Sequence, residues 1–235
     1  MRTSNDILDQ LKTPGTYSLI QQALRGDFTL PAAILDGYAE LEKHLDEHTD
    51  HRGEFESNTA DKEAQRMCDA LMRVPAWGGA NSILTEHLQP ALEDLIAHFK
   101  DDMAACGKFI HQPSPSVDML NAPEDVRLGY LHASNAQTQY GSLRAAWQTL
   151  RRWDSHHCHD PLGVRSPLAE VANLPDLFAD WELASNGRTP WPWTSNAFHV
   201  RLAWLLDNDA QVWLPTTQEH NTAWSRYNPQ AKVAA

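Results

Sequence analysis

The sequence predicts a mainly α protein: a helical bundle with two long helices, followed by an irregular Trp/Pro-rich C-terminal region with short helices. Three observations predict it. Apolar residues recur at three-and-four spacing across two long stretches, 82–106 and 121–152, as in helices that bury one stripe. Turn signals such as Thr13-Pro14-Gly15, Gly78-Gly79 and the Pro113/Pro115 run separate the periodic stretches by short joins, which suits an antiparallel bundle. After Arg152 the periodicity yields to closely spaced Trp and Pro. The expected organisation is a bundle over 1–152 and a Trp/Pro-rich C-terminal region or arm over 153–235.

Taken in order, Ser4–Leu11 reads as a short helix with Ile7, Leu8 and Leu11 on one face. Tyr17–Arg25 is a second, with Gly26 where a left-handed cap would sit. Arg25-Gly26-Asp27 spells a cell-adhesion tripeptide, but the helix stop accounts for it without any binding role. Pro31 opens a helix carrying Ile34, Tyr38, Leu41, Leu45 and His48. The acidic residues between Asp36 and Glu63 read as a solvated face. Asn58 caps a further helix with Ala64, Met67, Cys68, Leu71 and Val74, closed by Pro75. Ser82 starts the first long helix (Leu84, Leu88, Ala91, Leu92, Leu95, Phe99, Met103, Cys106), in which Pro90 requires a kink or a fresh start. A linker follows from Gly107 to Ser116.

The second long helix, 121–152, organises the rest. Asn121 is placed to cap it, with Pro123, Glu124 and Asp125 in the first turn. Its seam is Val126, Gly129, Ala133, Ala136, Tyr140, Leu143, Trp147 and Leu150, spanning roughly 45 Å at the helical rise. Small residues at its start predict close approach of a neighbour, and bulky ones at its end predict a wider separation. Beyond it, Leu168–Leu174 and Asp176–Leu183 read as short helices begun by Pro167 and Pro175, and Asn186-Gly187 as a turn. Thr189–Trp193 should be extended, since residues before proline are pushed out of the helical region. Ser195 caps a helix over Asn196–Leu206, and Ala210–Leu214 has the character of a lone strand.

The charge balance of −12 with a pI near 5.3 argues against nucleic acid and against an anionic membrane surface, because both demand a basic face. Arg144, Arg151 and Arg152 beside Trp147 and Trp153 do not change that expectation. Three scattered cysteines make no disulfide framework, no apolar leader follows Met1, and the longest apolar run, Leu202–Leu206, cannot span a bilayer. The expected location is soluble and intracellular, cytoplasmic or within a virion.

The densest chemistry is Asp154-Ser155-His156-His157-Cys158-His159-Asp160. These are the side chains that bind zinc, but adjacent loop residues converge poorly on one tetrahedral ion. A second ligand source would be His44, His48 and His51. The alternative is that these histidines, with Arg151 and Arg152, complement the negative end of the long helix. Dinucleotide, phosphate-loop, hydrolase-elbow and His-Glu-x-x-His motifs do not occur, and Gly141-Ser142 falls mid-helix, where the hydroxyl bonds back to the preceding turn. No catalytic, metal or cofactor residue is therefore assigned.

Nine tryptophans are unusual, and six fall late. Trp204 and Trp213 read as core. Trp191, Trp193 and Trp224 are the candidate partner-docking residues, because extended or proline-locked Trp offers large contact area at interfaces. Side chains two apart in an extended segment face opposite ways, so Trp191 and Trp193 should not both pack inward, and a chain cut at Gly187 should keep its fold. The expected function is a non-enzymatic structural subunit of a larger assembly, concretely a bacteriophage virion component at the head or head–tail junction, contacting copies of itself or other subunits. The alternatives are a metal-dependent helical-bundle enzyme using the His-rich stretches and an acidic protein-binding adaptor.

Overall fold

The computed structural model describes residues 15–49, 57–72, 79–154 and 167–227, and over these the protein is mainly helical. In chain order the helices are α1 (Thr16–Leu24), α2 (Ala32–Thr49), α3 (Ser57–Met72), α4 (Gly79–Ile83), α5 (Gln89–Cys106), α6 (Val117–Leu120), α7 (Glu124–Asp154), α8 (Leu174–Leu177), α9 (Trp181–Ser185), α10 (Phe198–Asp207) and α11 (Thr217–Tyr227). The Ser4–Leu11 helix expected from sequence lies outside the described residues. So do Asp160 and the whole run from Ser155 to His159.

Two compact units are formed: Met1–Ala91 with Ser142–His159, and Leu92–Gly141 with Asp160–Ala235. The cuts fall inside both long helices. Residues beyond 160 thus group with the middle of the chain, and the units do not divide at the expected boundary of 152.

In the first unit, α1 and α2 pack on α3, burying Leu19, Ile20, Ile34, Tyr38, Ala64 and Cys68. Met67 was expected on this face but is exposed, the apolar stripe passing instead through Cys68 and Met72. Buried Thr16 donates to the Asp69 carboxylate, which also accepts from Gln65 Nε2 at 2.7 Å, while Gln65 Oε1 accepts from the Tyr17 amide at 3.2 Å. Burial pushes the Cys68 thiol up to about 11, with Asp69 and Glu42 adding to it, so this cysteine is an inert packing group. The stop after α1 is a complete Schellman motif. Gly26, at φ +88°, donates to Ala23 O at 2.9 Å, and the Asp27 amide reaches back to Gln22 O at 3.3 Å.

Between α4 and α5, just ahead of Pro90, the helix widens into a π-turn over Leu84–Leu88, closed by the Gln89 amide on Leu84 O. Proline lacks an N–H and its ring crowds the carbonyl four residues back, and a wider turn relieves that crowding.

In the second unit, the small start of the α7 seam meets α5 closely. A Cβ on Gly129 would lie 3.0 Å from Ala105 Cβ and 3.1 Å from Asp102 O. Ala133 is fully buried one turn on. Phe198 at the start of α10 packs its ring on Phe99 (6.3 Å) and Tyr140 (5.0 Å). Glu170 accepts from Tyr140 Oη at 2.6 Å and from Arg201 Nη2 at 2.8 Å.

The short elements differ from expectation in instructive ways. Asn121 does not cap α7; it ends α6, and Pro123 supplies the first accepting carbonyl of α7, to Arg127 N at 3.1 Å. The expected helices at Leu168–Leu174 and Asp176–Leu183 are replaced by a 3₁₀ turn (Pro167–Ala169) and by α8 and α9. Around them Val171 bridges Val212 antiparallel, and this lone bridge is what forms within the strand expected over Ala210–Leu214. Helix α10 starts two residues later than expected, with Ser195 Oγ accepting from Ala197 N at 3.1 Å just before it.

Candidate functional site

The three tryptophans proposed as docking anchors are gathered into their own unit. Trp191 and Trp193 stack face to face, 4.7 Å apart and 9° from parallel. Trp193 then meets Trp204 edge-on at 5.7 Å, Trp191 touches Phe178 at 6.0 Å, and Trp224 lies edge-on to Trp181 at 6.2 Å. All pack against the buried cluster Leu168, Val171, Leu174, Trp181 and Leu205. The opposite-face argument fails because the backbone bends over Pro192–Thr194, which turns both rings to one side. The three rings remain half-buried.

The His156–His159 cluster and His51 lie outside the described residues, and the side chains of His44 and His48 do as well. Arg144 and Arg151 lie over the buried Trp147 ring at 4.3 and 5.4 Å, an internal cation–π stack rather than a basic surface.

A concavity lies elsewhere in the second unit, a groove of about 560 Å³ between the 113–120 segment, one face of α7 and the start of α10. Pro113 and Pro115 keep the first wall out of helix until Ser116, whose Oγ accepts from the Met119 amide at 3.2 Å and begins α6. That short helix turns Met119 inward and leaves Leu120 on the rim. On α7, Arg127, Tyr130, Leu131, Ser134 and Gln137 recur at three-and-four spacing and so share one face. From α10 come Phe198 and His199.

The groove is held by one carbonyl. Gln112 O accepts from Tyr130 Oη at 3.0 Å and pairs with His199 Nε2 at 2.8 Å, and the Tyr130 and His199 rings meet edge-on at 5.1 Å. Burial pushes the Tyr130 phenol up. Bonding a carbonyl requires the hydrogen to sit on Nε2, which in the neutral ring leaves Nδ1 an acceptor. His199 is only 6% exposed and lines the groove, and Nδ1 has no hydrogen-bond partner among the described residues. Arg127 is exposed, makes no ion pair among the described residues, and is the one Arg or Lys lining the groove; no carboxylate lines it. Ser134 Oγ donates to Tyr130 O at 2.8 Å, so its proton is held by the helix and not by a base. The arrangement can bind; it offers no paired nucleophile and base.

Sequence reasoning passed over this groove, treating 107–116 as a linker. The Ser116 cap behind Pro115 was the available signal for its first wall; the meeting of Gln112, Tyr130 and His199 had none. Among the described residues there is no group of three potential metal ligands and no helix long and apolar enough to cross a membrane. No family model matches the chain, and no curated protein or solved structure is significantly similar to it.

Proposed function

We propose that the protein is a non-enzymatic structural subunit that works by binding other polypeptides in a larger assembly. A bacteriophage virion component, at the head or the head–tail junction, is the concrete case. The observation that supports it is the apolar groove beside α6 and α7, together with the leucines exposed around it. Leu120 is 57% and Leu131 51% exposed, and Val117 and Leu128 lie one helical turn from them, also exposed. A run of large apolar side chains in water is costly unless something covers it, at roughly 25 cal/mol per Å². A groove with one carbonyl anchor, one free guanidinium and no activated nucleophile suits recognition better than chemistry.

The test is the mass of the purified full chain in solution, measured by light scattering over a range of concentrations, together with elemental analysis of the same sample. Association with itself or with a co-expressed neighbouring gene product, without stoichiometric metal, is the expected result. A monomer that never associates and carries one metal ion per chain would overturn the proposal in favour of a metal-dependent helical-bundle enzyme.

A further inference from the structure

We infer that the groove formed by Pro113–Leu120, Arg127–Gln137 and Phe198-His199 receives an apolar segment of a different protein that carries an acidic side chain. The carboxylate pairs with Arg127, and a hydrogen-bond donor of the segment meets His199 Nδ1. This deepens the assembly reading above and rests on it. Three features define the occupant. The lining is mostly apolar, with Met119, Leu120, Leu131 and Phe198 forming the walls, so the segment must be apolar where it is enclosed. Arg127 pairs with no described residue and no carboxylate lines the same groove, so an acidic group on the ligand meets an unused cation there. His199 Nδ1 is an acceptor that no described residue uses and that water can reach, so a donor on the ligand can take the place of water there.

The exposed rim decides between a polypeptide and a small apolar acid. Val117, at 72% exposed, and Leu128, at 43%, continue the apolar surface beyond the enclosed part of the groove. A small acid would fill the groove and leave them wet. An extended or helical segment can lie across both, with anchors at alternating or three-and-four spacing.

The experiment selects from a random-peptide display library on the immobilised full chain and measures the selected peptides by fluorescence anisotropy. The expected peptides combine apolar residues with an Asp or Glu. Their affinity should fall about tenfold or more for Leu131→Asp and for Arg127→Glu, both exposed and so compatible with folding, which circular dichroism verifies. Affinity should be unchanged for Leu183→Asp, an exposed leucine outside the groove. Exchanging the peptide's acid for Lys should restore binding to Arg127→Glu. Peptides indifferent to both groove variants, or octanoate binding more tightly than any selected peptide, would overturn the inference. So would self-association of the wild type that Leu131→Asp abolishes, since the occupant would then be a second copy. If full-chain assembly with another protein persists in both groove variants, this inference fails while the assembly reading stands. A chain that never assembles yet binds peptides in the groove as described supports the inference and sinks the reading.

Discussion

At the residue scale, one close approach lies where the start of the α7 seam meets α5. Gly129 faces Ala105 and the Asp102 carbonyl at distances tighter than an ordinary Cβ contact, and fully buried Ala133 lies one turn on along the same helix. Gly129→Val and Ala133→Leu should each cost about 1–3 kcal/mol through overpacking. A urea titration that finds both near neutral would show that this part of α7 is loosely packed. Asp102 sits at the same junction, with His132 Nδ1 3.5 Å from its carboxylate. Burial raises its carboxyl above the ordinary range, and the opposing pull of His132 does not cancel that. A carboxyl whose folded pKa is raised contributes stability at low pH and loses it as pH climbs through that raised value. The melting temperature of the wild type should therefore fall relative to Asp102→Asn as pH rises from about 4. Parallel curves for the two proteins would contradict the shift.

At the scale of elements, ends and seams carry the specificity. The α7 seam is buried at Gly129, Ala133, Tyr140, Leu143, Trp147 and Leu150, following the three-and-four pattern seen in the sequence. Trp147 is completely enclosed, so Trp147→Ala should cost about 3–5 kcal/mol through the cavity it leaves. Helix α11 was not foreseen, although Thr216-Thr217-Gln218-Glu219 behind Pro215 spells its start. The Glu219 amide donates to Thr216 Oγ1 at 3.2 Å, and the Thr216 amide donates to Glu219 Oε2 at 2.8 Å, a reciprocal capping box. Thr216→Ala should lower stability by about 1 kcal/mol, and Thr216→Ser should restore most of it. Equal loss in both variants would point to the methyl group rather than the cap.

At the scale of the whole chain, the C-terminal region is part of a core and not an appendage. Cutting at Gly187 removes Phe198, Val200, Leu202, Leu205 and Leu214, all buried, along with both rings of the Trp191/Trp193 stack. The truncated chain should lose helical circular dichroism and its cooperative transition. A 1–187 fragment that kept both would restore the picture of a dispensable arm. The His-rich run at 156–159 is expected to hold no metal. His157→Ala and His159→Ala should change stability by no more than about 0.5 kcal/mol. Stoichiometric zinc in the pure protein, lost in these variants together with several degrees of melting temperature, would reverse that expectation.

By itself the sequence determined what depends on neighbours within a turn or two: the helical class, the buried seam of α7, the glycine stop after α1 and the tight half of the long-helix contact. Helical period and cap chemistry act over a few residues, so composition and spacing suffice to specify them. Only the tertiary structure decided the fate of the late tryptophans and the position of the groove. The stacking of Trp191 on Trp193 hangs on a bend at Pro192 that the preference for extended backbone before proline does not specify. The groove exists because one carbonyl, Gln112 O, gathers Tyr130 from 18 residues away and His199 from 87. Contacts of that separation are set by how whole elements pack, and no periodicity within either segment encodes them.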